Sequence, residues 1–274
     1  MKRITVLIAL ALGLLSPGLA PAAHAQAAGA AAPAAAQAPS SLLDAIMARG
    51  TLRVGLTGDY KPFSIVDAAA PAGMQGLDVD MADSLAKSLG VKLQIVPTTW
   101  KSLMPDLLAG KFDIAMGGIT VTTLRARTAL FSTPVMASGK TALARCADVR
   151  KYQTLAQIDR PGVRVVVNPG GTNEAFDRAH LTKAKIVMVK TNPETFQALL
   201  DHKADVMITD GVETLLQHKL HPSLCPIHPD HPFNHSELAY MLPRDVIWQQ
   251  YVDTWLRIDT LDGSRAALLK KWLD

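Results

Sequence analysis

The sequence predicts an α/β fold built from two similar lobes, and two observations support this prediction. After Ser41, short β-branched runs alternate with helical patterns, which is the rhythm of β-α-β units around a largely parallel sheet. The fragment LLAGKFDIAMGGIT, which begins at Leu107, is also echoed by LLDHKADVMITDGV, which begins 92 residues later (199 minus 107) at Leu199. Similar α/β units can match by coincidence. Taken as a true repeat, the echo predicts two lobes of the same kind.

The N-terminal residues 1–25 are typical of a secretory signal peptide. Lys2 and Arg3 precede an apolar run over residues 4–15, and the small residues of a cleavage site follow in Ala23-His24-Ala25. The apolar run is too short to span a bilayer, so no membrane anchor is expected. Residues 26–41 are rich in Ala, Pro and Gln and predict a flexible leader.

The first elements of the folded part follow from apolar spacing. The segment TLRVGLT (51–57) alternates apolar and other residues, which predicts a strand, and KLQIVPT (92–98) predicts another. Between them, a set of leucine and methionine residues at helical spacing predicts one apolar helix face: Leu77, Met81, Leu85 and Leu89.

A third strand, Val165–Val167, runs into NPGGTNEAFDRA (168–179), where two glycines open a helix. The first backbone N–H groups of a helix lack partners, so such a turn can hold an anion. Ligands of open parallel sheets bind beyond the carboxyl ends of the strands. We therefore expect three loops to form the edges of a cleft between the lobes: Gly117–Thr120, Asn168–Glu174 and Thr209–Gly211.

Composition limits the class of partner. The chain has a formal net charge of +4 and a pI near 9.1, yet it has no basic run with interleaved aromatic residues, so no nucleic-acid partner is expected. Five histidines lie between His218 and His235, but their spacing fits no standard zinc site and prolines interrupt the segment. We expect neither a metal ion nor another cofactor.

The two cysteines, Cys146 and Cys225, favour a disulfide because an exported protein with an even cysteine count usually pairs them. Two separate buried thiols are the alternative.

Several motifs together resemble the amino-acid-binding periplasmic solute receptors: GDYKPFS (58–64), GLDVDMADSLAKSLG (76–90), the stretch 98–127 and FSTPV (131–135). Within that group, GDYKPFS, PTTW, VNPGGTNE, the segment His221–Cys225 and YMLPRD are more similar to the periplasmic cyclohexadienyl dehydratases. Those enzymes use the receptor fold to convert prephenate to phenylpyruvate, or arogenate to phenylalanine, with loss of water and carbon dioxide.

The resemblance implies a periplasmic protein with the two-lobed type II periplasmic-binding-protein fold and a ligand cleft between the lobes. It places lobe 1 at residues 42–136 plus 236–274 and lobe 2 at 137–235, with crossings near 134–140 and 232–238. Both cysteines would then lie in lobe 2, where a disulfide would join the start and the end of that lobe.

The resemblance also implies ligand contacts at matching positions. Arg125, in the T-x-x-R motif, would grip a carboxylate through two parallel charge-assisted hydrogen bonds. Asp210 would accept an α-amino group, which suits arogenate and conflicts with the keto oxygen of prephenate unless the carboxyl is paired or protonated. The remaining implied contacts are an aromatic clamp and a carboxylate cradle: Tyr60, Trp100, Gly118, Thr120, Thr172 and Asn173.

Glu174 is the residue that we expect to act as general acid. An acid in the first turn of a helix is favoured by the helix dipole without any chemistry, which is the alternative reading. In a closed and filled cleft, lost water and the charge of a dianionic substrate would raise its pKa, so that it could protonate the departing hydroxyl group. The rival function is a non-catalytic amino-acid receptor of an ABC transporter.

Overall fold

The computed structural model of the protein describes residues 40–273, so the signal peptide predicted at 1–25 and most of the leader lie outside the described residues. Ser41, which the sequence places at the end of the leader, caps the first helix, and its hydroxyl accepts a hydrogen bond from the Asp44 N–H at 3.1 Å. Within the described residues no helix is both long and apolar enough to cross a membrane.

The described part contains ten α-helices: α1 (Leu42–Arg49), α2 (Leu77–Leu89), α3 (Leu103–Leu108), α4 (Thr123–Ala126), α5 (Leu155–Ile158), α6 (Thr172–His180), α7 (Asn192–Leu200), α8 (Gly211–Leu220), α9 (Val246–Leu261) and α10 (Ser264–Leu273). The first strands are β1 (Thr51–Leu56), β2 (Asp59–Tyr60), β3 (Ser64–Val66), β4 (Met74–Gln75), β5 (Lys92–Pro97), β6 (Ile114–Ala115), β7 (Leu130–Phe131) and β8 (Met136–Ser138). The later strands are β9 (Lys140–Arg145), β10 (Arg164–Val167), β11 (Lys185–Met188), β12 (Val206–Asp210), β13 (Leu224–Ile227), β14 (Ser236–Leu238) and β15 (Met241–Leu242).

Two five-stranded sheets define the two lobes, and they share one topology. The first has the order β5-β1-β6-β15-β7 and the second has the order β11-β10-β12-β9-β13. In each sheet the second strand pairs in parallel with both neighbours, and the fourth strand pairs antiparallel with both of its neighbours. The prediction of an α/β fold with two similar lobes is confirmed.

The sequence echo marks equivalent strands. Ile114 of β6 pairs with Val54 of β1, and Val206 of β12 pairs with Val165 of β10. Ile114 and Val206 are also the matching residues of the two fragments found in the sequence. The echo is therefore a structural repeat.

The prediction of largely parallel sheets is confirmed, because four of the five strands in each sheet run in one direction. The exception is one reversed strand in each sheet, β15 in the first and β9 in the second, which pairs antiparallel with both of its neighbours. The reason is connectivity: β9 and β15 are the first strands reached after the chain has crossed from one sheet to the other, so no crossover helix sets their direction.

The two segments that connect the sheets run side by side. The strand β8 leads from the first sheet to the second, β14 leads back, and the two pair antiparallel from Met136–Leu238 to Ser138–Ser236. They fall within the crossings expected at 134–140 and 232–238. Just beyond them, Cys146 and Cys225 form a disulfide, as the cysteine count favoured.

Burial explains why the helices lie where they do. The apolar face predicted for α2 is confirmed, since Leu77, Met81, Leu85 and Leu89 are each at most 5% exposed. That face packs on the first sheet with residues of α9, whereas the second sheet has apolar clusters of its own. The loops at the carboxyl ends of the strands are left to form the site.

Candidate active site

Loops beyond the carboxyl ends of strands from both sheets line a cavity between the lobes, where open α/β sheets bind their ligands. The cavity is lined by Tyr60, Trp100, Gly118, Thr120, Asn168, Gly171, Thr172, Asn173, Asn192, Asp210 and Glu213. The structure thus brings together every substrate-binding residue expected from the sequence except Arg125, which lies beside the cavity.

Two hydrogen bonds join the lobes directly across the cleft. The Tyr60 hydroxyl donates to Oδ2 of Asp210 at 3.0 Å. The hydroxyl oxygens of Thr120 and Thr172 lie 3.1 Å apart. All four side chains line the cavity, so a bound ligand would meet both lobes at once.

The aromatic wall of the cavity is made by two rings in edge-to-face contact. The ring centroids of Tyr60 and Trp100 lie 5.8 Å apart with an interplanar angle of 65°. The indole Nε1 donates to Oδ1 of Asp59 at 3.0 Å, which fixes the orientation of the Trp100 ring. A flat unsaturated ring can contact these aromatic surfaces.

The N-terminus of α6 forms the polar wall opposite. Gly171 is the N-cap residue, and Thr172 and Asn173 are the first helical residues; all three line the cavity. Because the first N–H groups of a helix have no intrahelical acceptor, this end favours an anionic group. The nine residues of α6 give it a complete set of such N–H groups.

Arg125 provides a cation next to that wall. Its Nη1 donates to the carbonyl oxygen of Thr120 at 2.7 Å. Burial lowers its pKa to about 10, so the guanidinium keeps its charge near neutrality. Because Arg125 lies behind Thr120, its guanidinium would have to extend past that residue to contact a ligand carboxylate.

Lys140 is a functional residue that the sequence analysis missed. It begins β9 directly after the crossing, and its side chain is only 2% exposed. The Nζ atom lies 2.9 Å from Oδ1 of Asp210 and 2.6 Å from Oδ1 of Asn173. The conflict expected between Asp210 and a keto acid is therefore relieved, because the Asp210 carboxylate is paired. A lysine at the start of a strand whose next residues are almost all buried was the signal that could have revealed it.

Glu213 is the second residue that was missed, and it is a buried acid that lines the cavity together with Asp210. Its side chain accepts hydrogen bonds from the Thr209 hydroxyl and the Asn192 amide, both at 2.5 Å. Burial, with the nearby Asp210 as a further cause, raises the pKa of Glu213 to about 8. The carboxyl group thus holds its proton near neutrality. The available signal was its place three residues after Asp210, in the first turn of a helix.

The role of general acid expected for Glu174 stays a prediction, because the raised pKa on which it depends was expected only in a closed and filled cleft. The Glu174 carboxylate accepts the Gly170 N–H at 2.7 Å and pairs with Arg178 at 2.8 Å, and it does not line the cavity. The Gly170 N–H and the Arg178 guanidinium lower its pKa, so the group is ionised. An arginine one turn later in the same helix draws the side chain outwards.

The described residues contain one cluster of His, Cys or acidic side chains close enough to hold a metal ion. It consists of Cys146, His218 and Cys225, with the atoms that could ligate within 4.8 Å of one another. Both sulfur atoms are joined in the disulfide, and metal binding requires thiolates. This cluster therefore does not fit a metal.

A two-lobed α/β fold with a cavity between its lobes is typical of solute-binding proteins. The chain belongs to the bacterial extracellular solute-binding proteins, family 3, whose family model matches residues 52–274.

Individual relatives point in two functional directions. The cyclohexadienyl dehydratase of Pseudomonas aeruginosa is 50% identical over 238 residues, which cover 87% of this chain and 88% of that protein. The crystal structure of an ancestral cyclohexadienyl dehydratase is 54% identical, with a TM-score of 0.53, and covers 86% of this chain and 98% of its own. An ancestral amino acid-binding protein, a precursor of cyclohexadienyl dehydratase, is 38% identical with a TM-score of 0.79 over 85% of this chain and 100% of its own.

Proposed function

We propose that this protein is a cyclohexadienyl dehydratase, which converts prephenate to phenylpyruvate, arogenate to phenylalanine, or both. The observation that supports this best is Glu213, a buried carboxyl group that keeps its proton in the ligand cavity. Holding a ligand does not require a buried acid of raised pKa, whereas expelling a hydroxyl group from a ring does. The 50% identity to the dehydratase of Pseudomonas aeruginosa agrees with the proposal.

The chemistry needs one proton donor and no cofactor. The bond between the ring and its carboxylate breaks, carbon dioxide leaves, and the bonding electrons make the ring aromatic. The C–O bond to the 4-hydroxyl group breaks in return, and that oxygen takes the proton of Glu213 and leaves as water. Solvent then restores the proton to the carboxylate of Glu213.

The substrate is held by the walls of the cavity. The side-chain carboxylate of the substrate would lie at the N-terminus of α6, against Thr172 and Asn173, with Arg125 behind Thr120 as the counter-charge. The ring would contact Tyr60 and Trp100, whose faces accept a flat unsaturated ring.

Two isosteric variants test whether Glu213 or Glu174 is the proton donor. We expect Glu213→Gln to lower kcat by at least about 100-fold while phenylpyruvate still binds, because a general acid contributes roughly 10²–10⁴ in rate. Glu174→Gln, the matched control at the third residue of a different helix, should keep kcat within about threefold of the unaltered protein. Steady-state turnover of prephenate measures both. The reverse result would return the role of the acid to Glu174.

The alternative function is a non-catalytic amino-acid receptor of an ABC transporter, supported by the ancestral amino acid-binding protein of similar structure. Adding prephenate to the pure protein and following the absorbance of phenylpyruvate in alkali distinguishes the two functions. Production over many turnovers supports the enzyme. Tight binding of an amino acid without turnover supports the receptor.

We also propose that the protein works in the periplasm, after removal of the signal peptide at 1–25, in keeping with its extracellular solute-binding family. The lobe boundaries proposed are 42–136 plus 236–274 for the first lobe and 137–235 for the second. The pairing of β8 with β14 supports them, because it lies where both boundaries fall.

A further inference from the structure

Asp210 has most of its hydrogen-bonding capacity filled by the protein itself. Oδ1 accepts from Nζ of Lys140 at 2.9 Å and from the Ser138 hydroxyl at 3.1 Å, and Oδ2 accepts from the Tyr60 hydroxyl at 3.0 Å. A carboxylate offers about four acceptor positions, so about one is left for a ligand. A ligand group that needs the carboxylate must compete with donors already in place.

The charge of Asp210 is balanced as well. The side chains of Lys140 and Asp210 are 2% and 5% exposed, so solvent screens their attraction little. Lys140 is also tied to Asn173, whose amide donates to Thr209, which in turn contacts Glu213. The cation is thus fixed beside Asp210 by a continuous chain of hydrogen bonds.

Lys140, Asn173 and Asp210 lie next to the expected position of the keto or amino group on the substrate side chain. Asn173 belongs to the N-terminus of α6, which favours the carboxylate of the substrate side chain, and Asp210 lines the same cavity. The atom attached to the neighbouring carbon is an uncharged keto oxygen in prephenate and an ammonium group in arogenate. An ammonium group would approach Asp210 against the like charge of Lys140.

We propose that the ion pair between Lys140 and Asp210 makes the cavity selective for the 2-keto acid over the corresponding 2-amino acid. The inference rests on the proposed function, since prephenate and arogenate are its two substrates. Removing the cation should shift the preference towards the 2-amino acid. Asp210 would keep its hydrogen bonds from Ser138 and Tyr60 but would be a buried carboxylate without a counter-charge, and only a substrate that carries its own ammonium group could replace the missing cation.

The test compares both substrates on one variant. In Lys140→Met, we expect kcat/KM for prephenate to fall at least about tenfold more than kcat/KM for arogenate, because the ammonium group of arogenate rescues the unpaired carboxylate. Lys185→Met is the matched control, since Lys185 is an exposed lysine on the edge strand of the same sheet. Its ratio of the two values should stay that of the unaltered protein. An equal loss for both substrates in Lys140→Met overturns the inference.

Binding of the two products gives a second measurement that does not depend on turnover. Calorimetry should show that Lys140→Met binds phenylalanine more tightly relative to phenylpyruvate than the unaltered protein does. If the unaltered protein turns over neither substrate, the proposed function fails, while the binding ratio still decides the role of the ion pair. If Lys140→Met does not fold, Asp210→Asn replaces it and should shift the ratio the other way, towards phenylpyruvate. No shift there overturns the inference.

Discussion

Glu174 and Glu213 are each the third residue of a helix that follows a strand, yet only one of them lies in the cavity. The sequence signal was the same for both, an acid in a first helical turn. What separates them is the residue one turn later: Arg178 follows Glu174 and holds it outside, whereas Gln217 follows Glu213 and is itself buried. The residue four positions after each acid can be read directly from the sequence. The enclosure that raises the pKa of Glu213 cannot be read in this way, because the other lobe and α7 supply part of it.

The pH dependence of turnover should report the proton on Glu213. Burial raises the pKa of this group to about 8, and the proposed mechanism needs the protonated form. We therefore expect kcat/KM to be constant towards acid from that value and to fall as the pH rises through it, because kcat/KM reports the pKa of the free enzyme. A pH–rate profile for kcat/KM with prephenate makes the measurement. A kcat/KM that stays constant well beyond about pH 9.5 would contradict Glu213 as the donor.

Arg125 can be tested against its exposed neighbour. We expect Arg125→Ala to raise the dissociation constant of phenylpyruvate at least about tenfold, because a carboxylate would lose its buried counter-charge. Arg127→Ala removes an exposed arginine two residues further on and should leave the affinity unchanged. Equal effects of the two variants would mean that Arg125 acts through general electrostatics only.

At the scale of elements, the glycine turn before α6 approaches the other lobe closely. Gly170 has φ +90°, and a Cβ placed on it would lie 2.6 Å from the backbone Cα of Lys101, which belongs to the loop after β5. Contact with backbone cannot be relieved by a side-chain rotation. The turn was expected to form an anion site, but its fit against the first lobe could not be predicted, because it depends on how the two lobes meet.

We expect Gly170→Ala to hold the lobes apart. The variant should raise KM for prephenate at least about tenfold and increase the radius of gyration measured by X-ray scattering with product bound, since closure and binding are coupled. Gly162→Ala is the matched control: its φ of +87° imposes the same backbone strain, but nothing lies within 4 Å of the added Cβ. It should lose stability without a change in KM. A Gly170→Ala variant with normal KM would show that the approach is not needed for binding.

For the whole molecule, the echo at Leu107 and Leu199 was enough to predict two equivalent lobes, because β6 and β12 are the central strands of their sheets. The reversed strand of the first sheet could not be predicted in the same way. β15 contains two residues, too few for a periodic pattern, and its direction depends on where the chain returns from the other lobe. Local patterns identified the repeat, and the connections between lobes decided the rest.

Buried carboxyl groups also set how the stability of the whole molecule depends on pH. Burial raises the pKa of Asp177 and of Glu213 to about 8, and that of Asp78 to about 6. An unfolded carboxyl group titrates near 4, so between about pH 4 and pH 8 the folded state binds more protons than the unfolded state. Stability must therefore fall as the pH rises through this window. The carboxylates of lowered pKa, such as Glu174 and Asp159, lose their contribution only below about pH 4.

Asp177 is the group on which this can be tested without altering the site. It is fully buried, neither of its carboxyl oxygens has a hydrogen-bond partner among the described residues, and it does not line the cavity. We expect the melting temperature to be lower at about pH 8 than at about pH 5, and Asp177→Asn to reduce that difference, because an amide has no proton to lose. Asp159→Asn is the control, since its low pKa leaves it ionised in both conditions, and the difference should persist. Calorimetric melting of the three proteins decides the matter: a melting temperature that rises from pH 5 to pH 8, or a difference that Asp177→Asn leaves intact, would mean that Asp177 is ionised in the folded protein.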